Sequence, residues 1–315
     1  MIPILMTVDT EGDDLWSWHQ GKKITTDNAL YIAPFQDLCE KYGIVPVYLT
    51  NYEMIMSDDY VSYIKNKVEK DLCEIGMHVH AWNSPPEVIL EGPYSGNPYI
   101  TEYKRKDIFE KHKYLRDLIK NRIGVDPISY RAGRWATNGE LFDILEELGF
   151  LIDCSVTPGI KHKAPGITVS HANNYRKEKC TPNKLRNHLW EVPMTTDLKR
   201  SFKGKNLKRI LINLIRGEER WLRPALQSEI EMKKMINDCL KSNVPYLMFM
   251  IHSSELMPGG SPYCLTESDV EQYLEKLENM FIFIKDIGKG YSLKQYYSLL
   301  NEVGYAKSES DSNSR

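Results

Sequence analysis

The chain has 315 residues, of which 42% are hydrophobic, and this length is enough to bury a substantial core. Its 41 basic and 43 acidic residues give a formal net charge of −2, so no basic field favours binding to nucleic acid. The six cysteines are widely spaced and form no CxxC pair. This usage indicates free thiols in a reducing compartment and argues against a disulfide framework or a zinc knuckle.

The first residues, MIPILMTVDTEGDD, contain no basic region and no small-residue cleavage site of the kind found in export signals. No apolar run approaches the ~20 residues that a membrane-spanning helix needs. We therefore expect a cytoplasmic protein. The polar end of the chain, 306–315, is expected to be disordered.

Seven short runs rich in β-branched and aromatic residues predict strands. These runs cover residues 2–9, 44–51, 72–80, 128–133, 150–156, 189–195 and 246–253. Helical patterns lie near 28–42, 58–70, 103–122, 137–149 and 227–242, and two more follow the last strand. Alternating strands and helices predict parallel strands with right-handed crossovers. About seven such units favour an α/β barrel or near-barrel, and no GxGxxG or Walker-type loop suggests a nucleotide-binding sheet.

No linker or internal repeat divides the chain, so residues 1–305 are expected to form a single barrel domain. Loop insertions are expected near 81–102 and 157–188. A loop as long as 81–102 is usually functional, although an inert surface insertion is the alternative. Segment 198–224 is locally basic with interleaved apolar residues. It either contacts a pyrophosphate or an anionic membrane surface, or is a solvated helix with its basic residues outward.

Polar residues gather at the carboxyl ends of the predicted strands, where parallel α/β barrels build their active sites. In chain order they are Asp9, Glu11, His78, His80, Arg131, Asp153, Glu191 (within its strand) and His252. Residues two apart in a strand face the same side, so the histidines of the His78–His80 pair project together. Two imidazoles and a carboxylate around an open position are typical of a catalytic metal site, and a structural histidine pair is the alternative.

Five segments resemble, in order, the motifs of the NodB-homology polysaccharide deacetylases (carbohydrate esterase family 4 and its relatives). They are TVDTEGD, EIGMHVHAW, YRAGRWA, DCSVTP and MFMIHSSE, and they span roughly Met1 to Glu255. The resemblance implies a distorted (β/α)7 barrel. It also implies that Asp9 is the catalytic base, that Arg131 orients it, and that His252 is the catalytic acid.

The resemblance further implies that Glu11, His78 and His80 bind a divalent metal, with zinc as the default and nickel, cobalt or iron as alternatives. Two departures from the family pattern matter. First, Thr10 separates the two acidic residues. Second, the histidines are two residues apart, whereas the family spacing of four would place the second ligand at Trp82. If His80 points elsewhere, His19 or Asp13 are the candidates to complete the site.

The pattern is similar to that of cytoplasmic relatives found with O-antigen or capsule assembly genes. It therefore implies an N-deacetylase that acts on an amino sugar in a nucleotide-linked or lipid-linked precursor. Candidate substrate-binding residues are Trp82, Tyr94, Trp135, Asp153 and Glu191. Two alternatives stay open: a non-catalytic saccharide-binding or assembly protein on the same barrel, and an amidohydrolase or glycosidase with another substrate. Neither the sugar nor the oligomeric state follows from the sequence.

Overall fold

A computed structural model describes residues 1–13, 15–17, 22–90, 98–162, 174–199, 206–208, 211 and 217–312, with side chains described as far as residue 302. His19 and Tyr94 lie outside these ranges, as do parts of the 157–188 insertion and most of the basic segment 198–224. The predictions that concern those residues therefore stay predictions.

The described residues contain eleven strands and eight α-helices. The strands are β1 (Ile2–Thr10), β2 (Pro46–Thr50), β3 (Glu74–Val79), β4 (Ser129–Ala132), β5 (Ile152–Asp153), β6 (Asn183–Lys184), β7 (Trp190–Glu191), β8 (Thr196–Lys199), β9 (Glu218–Trp221), β10 (Leu247–His252) and β11 (Gly288–Tyr291). The helices are α1 (Ile32–Lys41), α2 (Tyr52–Met56), α3 (Asp58–Glu69), α4 (Arg105–Ile123), α5 (Gly139–Glu147), α6 (Glu229–Lys241), α7 (Glu267–Ile284) and α8 (Leu293–Ser312).

The main sheet has the strand order β10-β1-β2-β3-β4-β5-β7-β6. All neighbours in it are parallel except β6 and β7, and β11 adds a further parallel pairing to β1. The seven strands from β10 to β7 are those that the sequence predicts. Strands β8 and β9 form a separate antiparallel hairpin. The ends of the basic segment are therefore extended chain rather than helix.

The sheet curls into an incomplete barrel, and irregular chain bridges the gap between β7 and β10. The backbone N–H of Met248 donates to Thr195 Oγ1 at 2.8 Å. The backbone N–H of Met250 donates to the carbonyl oxygen of Leu222 at 3.1 Å. Among the described residues, β10 pairs with no strand on this side. The two bonds satisfy backbone N–H groups along that edge. The predicted fold class, a distorted (β/α)7 barrel, is confirmed.

Strand β1 shows how the two faces of the sheet divide. Ile4, Met6 and Val8 pack into the large apolar core that also contains the helices. Leu5 belongs to the smaller cluster on the opposite face. Because side chains alternate along a strand, Asp9 shares the face of Leu5. The period-two pattern thus places a carboxylate on the inner face of the barrel at its carboxyl end.

The last helix, α8, runs from Leu293 to Ser312. The disordered tail expected over 306–315 stays a prediction. No proline or glycine follows Gly304, so nothing in the local sequence interrupts the helix there. Over the residues that the structure describes, no helix combines the length and the apolar character needed to cross a membrane.

Candidate active site

Glu11, His78 and His80 converge at the carboxyl end of the sheet. The Nε2 atom of His80 lies 2.7 Å from Glu11 Oε2, and Nε2 of His78 lies 3.5 Å from the same oxygen. The two Nε2 atoms are 3.1 Å apart. The three potential ligand atoms lie within 4.8 Å of one another, and in the described part of the chain no other group of histidine, cysteine and acidic residues does so. His80 therefore points into the cluster, a direction that the sequence alone did not decide.

Strand geometry and one hydrogen bond orient the two imidazoles. His78 and His80 share a face because β3 has a period of two residues. The Nδ1–H of His78 donates to the carbonyl oxygen of Arg131 at 2.9 Å. A carbonyl can only accept, so the proton lies on Nδ1 and the Nε2 lone pair faces Glu11. This is the tautomer that a metal ligand requires.

The backbone of Glu11 is fixed from two sides. Its N–H donates to the Ser253 hydroxyl at 3.1 Å, and the same hydroxyl donates to the Glu11 carbonyl oxygen at 3.1 Å. The amide nitrogen of Asn28 donates to that carbonyl at 2.7 Å and to the Ser253 hydroxyl at 3.0 Å. All three residues are buried. The carboxylate is thus presented by a rigid main chain.

In this cluster, burial and the neighbouring charged groups shift the pKa values in opposite directions. Burial alone would raise the pKa of Glu11, but the His80 and His78 imidazoles outweigh it and hold that pKa well below its usual value. Burial lowers the pKa of His80 despite the pull of Glu11. Burial would also lower the pKa of His78, but Asp9 and Glu11 reverse this and raise it. An ionised carboxylate and a neutral His80 are the protonation states that suit a cation.

Asp9 lies beside this cluster and is held by a buried arginine. Arg131 Nη1 donates to Asp9 Oδ1 at 2.5 Å, and Arg131 is fully buried. Its Nε donates to the Cys154 carbonyl oxygen at 3.0 Å, and its Nη2 donates to the Thr7 hydroxyl at 3.0 Å. Burial would raise the pKa of Asp9, but the charge of Arg131 and the nearby histidines lower it. Asp9 is therefore an oriented anion with Oδ2 left free of the arginine.

His252 completes the arrangement at the end of β10. Its Nε2 lies 3.6 Å from Glu11 Oε1 and 4.0 Å from Asp9 Oδ2. On its other edge, Nδ1 lies 3.2 Å from Glu255 Oε1 and 3.0 Å from Arg223 Nη2, which are themselves 3.0 Å apart. Arg223 and Glu255 are not among the site residues predicted from the sequence. Glu255 had a signal, since it follows His252 by three residues in HSSE, whereas Arg223 had none.

Asp153 and Glu191 are almost completely buried, as Arg131 is. They are register partners on the neighbouring strands β5 and β7. The Ser155 hydroxyl donates to Asp153 Oδ1 at 2.5 Å, and the Val156 N–H donates to Glu191 Oε1 at 3.0 Å. Burial raises the pKa of both carboxyls, and the charge of Asp153 raises that of Glu191 further. They are 0% and 1% exposed, so the geometry supports a structural role. Their predicted contact with substrate stays a prediction.

Trp82 and Trp135, the predicted sugar-stacking residues that the structure describes, are half-buried. The Trp82 ring lies 5.4 Å from the His80 ring. The Trp135 ring stacks on His162 at 5.9 Å, and the guanidinium of Arg131 lies 5.3 Å from its centroid. Trp135 and the preceding Arg134 both adopt positive φ, +62° and +56°. Such backbone strain clusters at functional sites, and here it turns Trp135 back over Arg131.

Of the two alternative ligands predicted, His19 and Asp13, Asp13 is the one that lies among the described residues. Its Oδ2 accepts the N–H of Asp27 at 2.8 Å, and its Oδ1 accepts the N–H of Asn28 at 3.0 Å. Both carboxylate oxygens are therefore used to hold the short 3-10 helix Asp27–Tyr31, and the convergent set is Glu11, His78 and His80.

A scan of family models and a search of curated proteins return no match to this sequence. Solved structures do resemble it. A Mycobacterium smegmatis protein assigned as a polysaccharide deacetylase aligns with a TM-score of 0.54 at 12% identity, over 96% of this chain and 91% of its own. A 4-alpha-glucanotransferase from Thermococcus litoralis aligns with a TM-score of 0.52 at 12% identity, over 95% of this chain but 38% of its own.

The Xyl-CE4 domain of a multidomain xylanase, from the hindgut metagenome of Trinervitermes trinervoides, aligns with a TM-score of 0.47. Its identity is 11%, over 95% of this chain and 91% of its own. At 12% identity, the likeness to the Mycobacterium smegmatis and Thermococcus litoralis structures concerns the fold alone.

Proposed function

We propose that the chain is a metal-dependent N-deacetylase that removes the acetyl group from an amino sugar. The observation that carries the proposal is the convergence of three elements at one end of the barrel. These are the Glu11, His78 and His80 cluster, the Arg131-bound carboxylate of Asp9, and the imidazole of His252. Each lies within 4.0 Å of another member of the site.

The donor set fits a divalent transition metal. Two imidazole Nε2 atoms and a carboxylate oxygen face one another, and the Nδ1 bond of His78 leaves its Nε2 free to bind. Zinc is the default ion for such ligands. When bound, the metal supplies a Lewis acid that polarises the amide carbonyl and acidifies a water.

The side chains then divide the proton transfers. Asp9, held through Oδ1 by Arg131, accepts the proton of the attacking water on Oδ2. The water oxygen adds to the carbonyl carbon of the acetamide. His252 gives a proton to the nitrogen as the carbon–nitrogen bond breaks, so that acetate and a free amine leave. Glu255 and Arg223 hold the far edge of His252 during this step.

The substrate we propose is the precursor of a surface polysaccharide, such as O-antigen or capsule, linked to a nucleotide or a lipid and met in the cytoplasm. The locally basic composition of segment 198–224 supports this proposal. The basic segment 198–224 supplies the contact with a pyrophosphate or an anionic membrane surface.

The direct test is acetate release from UDP-N-acetylglucosamine and from fully N-acetylated chitotriose. We expect acetate from at least one of them, loss of activity with a chelator and recovery with zinc. Asp9→Asn and His252→Gln should each lower kcat by about 10²-fold or more, because each removes a proton-transfer group. Asp59→Asn is the matched control, since Asp59 is exposed on α3. Metal-loaded wild type that releases no acetate from either compound contradicts the proposal.

A further inference from the structure

Two exposed aromatic rings flank His252, and neither belongs to a motif identified in the sequence. Trp16 is 40% exposed and Tyr263 is 38% exposed. The Trp16 ring lies 5.0 Å from the His252 ring, and the Trp16 and Tyr263 rings lie 5.9 Å apart at 90°. Trp82 and Trp135, by contrast, are half-buried against neighbouring side chains. Large aromatic side chains left exposed beside a cluster of polar side chains are typical of a binding surface.

Both rings are held by the structure of the site. Trp16 lies in the short 3-10 helix Leu15–Ser17, a few residues after Glu11. Tyr263 lies in a tight turn, where the Ser261 hydroxyl accepts the N–H groups of Tyr263 and Cys264, each at 3.3 Å. The turn packs so closely on the 3-10 helix Ser253–Leu256, which directly follows β10, that a Cβ at Gly260 would lie 2.5 Å from the Ser254 carbonyl oxygen. The position of Tyr263 is therefore tied to the strand that carries His252.

Arg223 connects the aromatic pair to the chemistry. Its guanidinium lies 5.6 Å from the Tyr263 ring centroid, while its Nη2 lies 3.0 Å from His252 Nδ1. The arginine is 9% exposed and pairs with Glu255, so it is a fixed support. Trp16, Tyr263 and His252 thus form a corner of three rings in which His252 is the innermost member.

We propose that Trp16 and Tyr263 form a stacking subsite for the pyranose ring that carries the acetamido group. This inference rests on the proposed function and deepens it. The C–H groups of a pyranose present an apolar face that packs on aromatic rings, and two perpendicular rings hold it in one orientation. A ring in this corner presents its nitrogen substituent to His252. The subsite binds the sugar unit itself, so it does not require a longer glycan or the nucleotide.

The test is calorimetric binding of UDP-N-acetylglucosamine and fully N-acetylated chitotriose to metal-loaded wild type, Trp16→Ala, Trp16→Phe and Tyr263→Ala. We expect the two alanine variants to bind about tenfold more weakly, because each removes a stacking face. Trp16→Phe should restore most of the affinity. Tyr114→Ala is the matched control, because Tyr114 is 43% exposed on α4. Circular dichroism and metal content confirm that each variant is folded.

Equal affinity of wild type and both alanine variants overturns the subsite, and so does wild type that binds neither sugar. Acetate release is measured in a separate assay. If sugars bind through Trp16 but no acetate is released, the subsite stands and the deacetylase proposal fails. If acetate is released and the alanine variants leave KM unchanged, the deacetylase proposal stands and the subsite fails.

Discussion

His78 Nδ1 donates a hydrogen bond to the main-chain carbonyl oxygen of Arg131 across 2.9 Å. The two residues are also register partners in the parallel pairing of β3 with β4. One strand pairing therefore sets the tautomer of a candidate metal ligand and the position of the arginine that holds Asp9. The metal cluster and the proposed base are coupled through the backbone of the barrel, and not only through their side chains.

Gly133 is predicted to be required for the position of His80. A Cβ at residue 133 would lie 2.5 Å from the Val79 carbonyl oxygen and 2.8 Å from His80 Nδ1. We expect Gly133→Ala to displace the His80 ring and to weaken metal binding by about 10- to 100-fold. Competition with a chelator of known affinity measures this effect. In the control, Gly139→Ala, the nearest atom lies 3.5 Å away, so affinity should not change. Unaltered affinity in Gly133→Ala would sink the prediction.

Glu255 is predicted to give the fold a distinct pH dependence. Burial would raise the pKa of Glu255, but its hydrogen bond with His252 and the charge of Arg223 lower it to about 2. The folded pKa lies below the ordinary value of 4.5, so the stabilisation is complete above pH 4.5 and is lost as the pH falls towards 2.

We therefore expect Glu255→Gln to lower the free energy of unfolding by about 3 kcal/mol at pH 7 and by roughly half as much at pH 3. Urea denaturation at the two pH values measures the difference from wild type. Glu271→Gln, at an exposed position on α7, is the control. A difference that is the same at both pH values would show that the Glu255 carboxylate is not the stabilising group.

Much of the fold and part of the site follow from short-range patterns in the sequence. The seven strands of the barrel are predictable because buried parallel strands appear as continuous apolar runs. The convergence of His78 with His80 follows from the two-residue period of a strand. Their approach to Glu11 requires only that carboxyl ends of parallel strands share one edge.

The features that the sequence does not predict depend on contacts distant along the chain. Strand β11 has the sequence GKGY, which shows no strand pattern. Its glycines are needed because the strand packs closely against neighbouring backbone. A Cβ at Gly290 would lie 2.2 Å from the Gly43 carbonyl oxygen. Likewise, Arg223 reaches His252 from the segment after β9, and no local pattern marks it. Trp16 follows the first motif in the sequence, but no sequence pattern indicates that it lies near Tyr263.

Lys111 is predicted to anchor the loop that follows the histidine strand. Its Nζ donates to the carbonyl oxygens of Ser84 and Pro86, each at 2.6 Å, and it is 1% exposed. Lys111→Met leaves those carbonyls without a charged donor, so we expect a loss of about 2 kcal/mol and faster hydrogen exchange over residues 81–90.

The matched control on the same helix is Lys113→Met. Lys113 is 50% exposed and pairs with Asp117, and an exposed pair contributes about 0.5 kcal/mol or less. Hydrogen exchange measured by mass spectrometry, with urea denaturation, separates the two variants. Equal protection of residues 81–90 in wild type and Lys111→Met would contradict the anchoring role.

The central claim is that Glu11, His78 and His80 bind a metal, and elemental mass spectrometry of the purified protein tests it most directly. We predict about one transition-metal ion per chain in wild type, loss of the metal in His80→Ala, and retention in His188→Ala, whose histidine is exposed and distant in sequence. Wild type that stays metal-free after supplementation, or His80→Ala that keeps its full complement of metal, would contradict the account.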